Sequence, residues 1–316
     1  MNLREAIDRY VAWRQSHGAR FISSARILHQ FSNSLPAQTG CDGVSESDVR
    51  GFLGGQGPLT QTRACKYSTL AGFFRYAIGR GHATRSPLPT ADSEPRRPPS
   101  SPPHVFSRDE LHRLFGAIER SRRHAFRLDG GTFRTLLLIL YGAGLRIGEA
   151  LRLSIADVNL ADGVLTVRDT KFFKNRLVPV DPQLAEVLKS YAARRSQCPL
   201  PEGMAATFLA NRDGTPVRKG TVHTAFANLL EAAGIHRKDD GRRGPCLHSL
   251  RHTAAVHRLT AWYREGADVQ RLLPVLATWL GHVSLDGTKV YLSMTPALLR
   301  EASLRFERYV NGGGHA

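Results

Sequence analysis

Apolar residues recur at helical spacing along nearly the whole chain, and the period changes only once. Before residue 85 four stretches read as helices: 3–17, 21–34, a short one running from a Ser45/Asp48 capping pair through DVRGFL, and 60–80. After residue 106 a Ser107/Glu110 capping box opens another helix. GTFRTLLLILYGAGL follows, apolar on every side and closed by Gly142 and Gly144, and RIGEALRL then starts a new helix at the turn. Between 157 and 180 the spacing shortens, and β-branched runs separated by Asp162-Gly163 and by the polar DTKFFKN read as three antiparallel strands. Helical spacing returns from 182 onward, apart from a short extended piece at ATFLAN. The expected fold is therefore mainly α with a small antiparallel β-sheet.

One segment interrupts this pattern. Residues 86–106, SPLPTADSEPRRPPSSPPHVF, hold seven prolines among Ser, Asp and Glu, a composition that favours extended backbone and buries little. It divides the chain into a helical N-terminal domain, 1–85, a second domain, 107–300, and a C-terminal tail, 301–316. At 316 residues and 41% hydrophobic content the chain can fill two cores.

Charge narrows the partners. The formal net charge is +17, carried by 37 arginines and only seven lysines, with no matching rise in Asp and Glu. Such an excess points to a polyanion, most simply double-stranded DNA, because each phosphate contact releases condensed counterions. The 60–80 helix sets Arg63, Lys66, Arg75 and Arg80 around a stripe that includes Leu70, Phe73 and Phe74, which suits a helix laid on a phosphate backbone. Solvated surface arginines would give the same pattern. The four cysteines lie far apart without CxxC spacing, so neither a disulfide framework nor a zinc ribbon is expected, and a reducing cytoplasm fits. The opening MNLREAIDRYVAWRQSHG has no apolar signal core, and no stretch approaches membrane-spanning length.

The chemistry concentrates in CLHSLRHTAAVHRL, residues 246–259. Leu247, Leu250, Ala254, Ala255 and Leu259 give it an apolar helical stripe, while His248, Arg251 and His252 crowd one turn beside that stripe. His248 and His252, four apart with Cys246 nearby, could face a metal, but Arg251 would put a fixed cation beside it and no nearby carboxylate completes the set. A lone His-x-x-Arg is more often structural, an imidazole half in the core and a guanidinium reaching out of it. A third reading is phosphate, which a guanidinium grips through two oxygens while an imidazole on the same face exchanges a proton.

Other residues favour the third reading. Arg146 follows a glycine-rich turn at a helix start, where side chain and helix end can both address an anion, and Glu149 lies on the same face. Lys171 and Lys174 fall in the polar turn of the sheet. His282 stands in WLGH, and Tyr291 comes nine residues later. Each feature alone is ordinary, since Arg-x-x-Glu is usually a helical ion pair and an apolar-flanked Tyr is usually core.

Taken in order, Arg, Glu, Lys in a hairpin, His-x-x-Arg, Leu-Gly-His and Tyr resemble the tyrosine recombinase (phage integrase) family. The motifs cover about 106–300, and the helical domain with its linker matches more loosely. The hairpin departs from the family's glycine-rich form, which leaves Lys171 and Lys174 both open as the catalytic lysine, position favouring Lys171. The resemblance implies a helical DNA-binding domain ahead of a catalytic domain. Tyr291 would attack the scissile phosphate to give a 3′-phosphotyrosyl link and a free 5′-hydroxyl, with neither metal nor cofactor. Arg146 and Arg251 would clamp the nonbridging oxygens, Lys171 would protonate the leaving 5′-oxygen, and His248 would take the tyrosine proton. His282 would bond a phosphate oxygen and Glu149 would hold the basic side chains. It also implies a homotetramer on two DNA duplexes, sister recombinases or accessory proteins as further partners, and a tail that docks on a neighbouring subunit. Rival readings are a Xer-like resolvase, a type IB topoisomerase-like enzyme, and a non-catalytic DNA-binding protein that keeps the scaffold. A metal-dependent nuclease would need a carboxylate cluster that the sequence does not offer.

Overall fold

The structure, a computed structural model, describes residues 1–54, 61–89, 102–120, 128–168, 175–200, 202–236, 244–282, 284–293 and 296–310. The chain resolves into two compact units, Met1–Ser100 and Ser101–Ala316.

The first unit contains α1 (Leu3–Ser16), α2 (Ile22–Asn33), α3 (Glu46–Leu53) and α4 (Gln61–Gly79). Asn2 caps α1 by accepting from the Glu5 N–H, and the predicted Ser45/Asp48 capping box is formed at α3. Leu3, Ile7 and Tyr10 of α1 pack with Leu28 and Phe31 of α2, Val49 and Leu53 of α3, and Leu70, Phe73 and Phe74 of α4. The α1–α2 turn requires Phe21 to adopt a left-handed backbone, φ 48°, and its ring packs edge-on against Tyr10 with centroids 5.4 Å apart. That aromatic contact offsets a strain of roughly 1–3 kcal/mol.

The basic face expected on α4 is narrower than its sequence suggests. Arg63 is buried, and the Lys66 ammonium donates to the Phe52 carbonyl at 2.7 Å and lies 4.3 Å from the centre of the Phe52 ring. Arg75 and Arg80 are exposed.

The proline-rich stretch is anchored at both ends, each on its own unit. Leu88 packs on the first core and the Tyr67 hydroxyl donates to the Pro89 carbonyl at 2.9 Å. At the other end Phe106 lies fully inside the second core, and its N–H donates to Thr253 Oγ1 at 2.9 Å.

The second unit begins with α5 (Arg108–Arg120), preceded by the Ser107/Glu110 reciprocal bonds, and α6 (Gly130–Gly142), whose Leu136, Leu137, Ile139 and Leu140 are buried as its composition demands. RIGEALRL does not make a full helix. Its α7 spans Ile147–Ala150 and stops, because Phe208 N–H bonds to Leu153 O at 2.7 Å and Ile155 N–H to Ala206 O at 3.0 Å, which draws the chain into extended pairing. The extended ATFLAN is the other side of that pairing, as isolated bridges rather than a strand. A helical turn this short offers an anion little dipole, so any anion contact here falls to the Arg146 side chain.

Strands β1 (Val158–Asn159), β2 (Val164–Val167) and β3 (Arg176–Pro179) form the expected antiparallel sheet, order β1-β2-β3, with Leu165 opposite Val178 and Val167 opposite Arg176. Leu165, Val167 and Val178 face the core, whereas Leu177 is 68% exposed, as strand alternation requires. Lys171 and Lys174 lie outside the described residues.

Helices α8 (Pro182–Arg195), α9 (Lys219–Ala232), α10 (Leu247–Arg264), α11 (Val269–Leu280) and α12 (Asp286–Lys289) follow, then a 3-10 turn at Val290–Ser293 and α13 (Pro296–Val310). In the single chain α13 lies on its own α10. Leu298 is fully buried in a cluster with Leu259 and Tyr291, and Arg264 Nε pairs with Glu301 at 2.8 Å. Among the described residues no helix is long and apolar enough to cross a membrane.

Candidate active site

The site is organised by the C-terminal end of α11. Three successive carbonyls there, orphaned by the end of the helix, each accept from a different arginine: Trp279 O from Arg176 Nε at 3.2 Å, Leu280 O from Arg251 Nη2 at 2.5 Å, and Gly281 O from Arg146 Nη2 at 3.2 Å. Gly281 closes the helix in the left-handed region, φ 67°, and a Cβ on it would come within 2.6 Å of Arg176 Nη1. Glycine is thus demanded twice, by conformation and by space. Gly144, φ 61°, is held under the Trp279 ring and offers its carbonyl to Arg251 Nη1 at 2.6 Å.

Glu149 ties two of these arginines together. Its carboxylate meets Arg146 Nη1 at 2.8 Å and Arg176 Nη2 at 2.8 Å, and it also accepts from the Arg146 N–H at 3.0 Å. Burial alone would raise its pKa, but hydrogen bonds and charge from Arg176 and then Arg146 outweigh that and bring it from the ordinary 4.5 to about 2. A depressed carboxylate stabilises the fold above its unfolded pKa, and the contribution fades as pH falls through the folded value. Glu149→Gln is therefore expected to cost on the order of 3 kcal/mol at pH 7 and about 1 kcal/mol at pH 3, read as the gap between urea unfolding curves of the two proteins. A gap that did not change with pH would contradict this assignment.

Arg251 is 1% exposed, and burial followed by the Arg146 charge brings its pKa down to about 10, still charged at neutral pH. Two of its five N–H groups serve the carbonyls, and its buried Nε has no hydrogen-bond partner among the described residues. Three guanidiniums against one carboxylate leave an excess of positive charge at this place.

Tyr291, on the 3-10 turn, is 2% exposed, and its hydroxyl stands 3.1 Å from His252 Nδ1. Its ring stacks on His282 at 5.9 Å, with planes 19° apart. Burial raises the phenol's pKa above its ordinary value, and the charges of Arg251 and Arg146 offset only part of that rise. The buried Thr288 hydroxyl fixes His282 through Nδ1 at 2.7 Å. His248 is open to solvent at one edge, and its ring stands 4.5 Å from that of His252. Partial desolvation, then Arg251 and Arg146, push both His248 and His282 down to about 4, so both are neutral at physiological pH.

The structure thus brings together Arg146, Glu149, His248, Arg251, His282 and Tyr291. Three further residues stand at this site: Arg176, Thr288, and His252, for which the sequence pattern suggests only a metal-ligand role. The one available signal for Arg176 was an arginine at the start of a strand that otherwise alternates. Among the described residues no group of three metal-ligating side chains occurs.

A mainly helical domain with a three-stranded sheet, presenting a buried phenol among arginines and neutral imidazoles, defines a tyrosine recombinase. Residues 104–297 match the profile of the phage integrase family. Two proteins of Sinorhizobium fredii described as putative integrase/recombinases, y4rE and y4rB, are 35% and 33% identical over 313 and 309 residues, covering 98% and 96% of this chain and 97% of each relative. Tyrosine recombinase XerD of Corynebacterium glutamicum is 28% identical over 301 residues, 95% of this chain and 88% of that protein. Among solved structures, the integrase of transposon Tn1549 in complex with a circular intermediate DNA shares the fold with a TM-score of 0.71 at 17% identity, covering 98% of this chain and 99% of that one. A lambda integrase tetramer bound to a Holliday junction gives 0.64 at 18% identity, over 92% and 77%. The chain belongs to the phage integrase family, whose tyrosine recombinases cut and rejoin DNA.

Proposed function

We propose that this recombinase acts at specific sites on double-stranded DNA through a 3′-phosphotyrosyl bond to Tyr291, and that it moves a mobile element by integration, excision or transposition. The observation that carries this reading is the Tyr291 hydroxyl, held 3.1 Å from His252 Nδ1 and under the charge of Arg251. Arg146, with its side chain 39% exposed, and Arg251 from beneath bind the nonbridging oxygens and stabilise the charge that builds on five-coordinate phosphorus. Neutral His248 and His282 each have one N–H to donate there. Glu149 and Arg176 act through Arg146 as positioning residues. The hairpin lysine, Lys171 or Lys174, supplies the proton for the leaving 5′-oxygen. No nucleotide is spent, since the phosphotyrosyl ester keeps the energy of the broken bond.

Arg75 and Arg80 follow the DNA backbone, with Arg63 and Lys66 bracing α4 for that contact. The working assembly is a tetramer on two duplexes, a reading favoured by likeness to the lambda integrase assembly, and it operates in the cytoplasm. Likeness along 97% of each of the two Sinorhizobium fredii proteins described as putative integrase/recombinases favours a recombinase over a type IB topoisomerase-like role.

The test is covalent capture. Nicked duplexes of random sequence are incubated with the full chain, adducts are recovered under denaturing conditions, and the modified peptide is identified by mass. Recovery of one sequence class linked at Tyr291 is expected. No adduct, or an adduct at another residue, would refute the proposal.

A further inference from the structure

Tyr291 must lose a proton to attack phosphorus, and family resemblance gives that proton to His248. A different ring stands at the hydroxyl. His252 Nδ1 lies 3.1 Å from Tyr291 Oη, and the two ring centres are 5.5 Å apart. His248 is edge-on to His252, at an interplanar angle of 84°, with its other side towards solvent.

The direction of the hydrogen bond follows from the neighbours. The Arg251 charge acts on the phenol, and a neighbouring cation favours the arrangement in which the phenolic oxygen turns its lone pairs towards Arg251 and its proton away from it. The phenol's own proton is then left for His252. In that arrangement Nδ1 of His252 is the bare nitrogen and Nε2 the protonated one.

We propose that His252, the residue following the His-x-x-Arg pair, is the general base for Tyr291, an inference that rests on the strand-transfer reading above. As the bond from Tyr291 Oη to phosphorus forms, the phenolic proton passes to His252 Nδ1. The bond from phosphorus to the 5′-oxygen breaks, and that oxygen takes a proton from the hairpin lysine. On rejoining, the 5′-hydroxyl attacks the phosphotyrosyl phosphorus and gives its proton to the now neutral hairpin lysine, the bond from phosphorus to Tyr291 Oη breaks, and His252 returns its proton to the departing Tyr291 oxygen. His248, at the open edge of the site, is left to donate to a nonbridging oxygen.

Captured duplexes are rebuilt as suicide substrates with either the natural 5′-oxygen or a bridging sulfur, whose thiolate leaves without needing a proton. Single-turnover adduct formation is compared for the native chain, His252→Asn and His252→Gln. Asparagine keeps a hydrogen-bond acceptor near the Nδ1 position but cannot take up a proton. Both variants should form adduct about 100-fold or more slowly on either substrate, with duplex affinity unchanged. A His252→Asn rate within about 3-fold of native, or restoration of the rate by sulfur, would overturn the assignment. Nitrogen NMR of the imidazoles in the native full chain is a second measurement that needs no variant. A bare His252 Nδ1 is expected, and a proton on it in the neutral ring overturns the proposal. If the native chain itself yields no adduct, it is the strand-transfer reading that fails, and this one with it.

Discussion

Tyr291→Phe is expected to bind captured duplexes as the native chain does and to form no covalent adduct at all. The substitution removes one oxygen. The phenyl ring still fills its place in the cluster with Leu259 and Leu298, so the core loses almost no apolar contact. The lost hydrogen bond to His252 costs about 1 kcal/mol, which lowers the melting temperature by a few degrees. Against that small structural effect stands the complete loss of a nucleophile that a phenyl ring cannot replace. The comparison separates fold from chemistry: thermal melting and gel-shift affinity should barely move, while denaturing gels show no shifted band. A variant that still captured DNA would remove Tyr291 from the reaction.

The second large effect is expected at Arg251, where fold and chemistry are not separable. Arg251→Ala leaves the carbonyls of Gly144 and Leu280 without their donor and opens a cavity where a fully buried side chain had been. A loss of about 3–5 kcal/mol in unfolding free energy follows from those two terms together. Arg251→Lys is the sharper test. It keeps the charge, but one ammonium cannot bridge two carbonyls and still present a planar fork to phosphate. Adduct formation should fall about 1000-fold, with a smaller stability loss than for alanine. If Arg251→Lys kept native rates, the site would need a point charge there and nothing more.

Much of this molecule can be read from its residues, for identifiable reasons. Helical periodicity marks α1 through α5 because each buries one stripe, α6 stands out as an apolar run with no exposed side, and Asp162-Gly163 marks the sheet because that turn needs a residue at positive φ, here Gly163 at 62°. The order of Arg146, Glu149, His248, Arg251, His282 and Tyr291 suffices to name the chemistry. What the pattern cannot show is which way a polar side chain turns. Arg63 and Lys66 look identical to Arg75 and Arg80 in sequence, yet one pair serves the first core and the other faces solvent. Arg176 reads as a solvated strand end until Glu149, 27 residues earlier, is seen beneath it. RIGEALRL has the composition of a helix, and only a partner more than 50 residues later, Phe208, cuts it to a single turn.

The arginine seats at the end of α11 carry an implication for how this protein tolerates change. Trp279, Leu280 and Gly281 receive guanidiniums through oxygen atoms that every amino acid possesses. A saturation scan would therefore register little polar selectivity at 279 and 280, where only bulk and greasiness should be constrained. Position 281 should reject all nineteen alternatives to glycine. The feature that aims the cations is written in the course of the main chain, and a survey of side chains alone would pass over it.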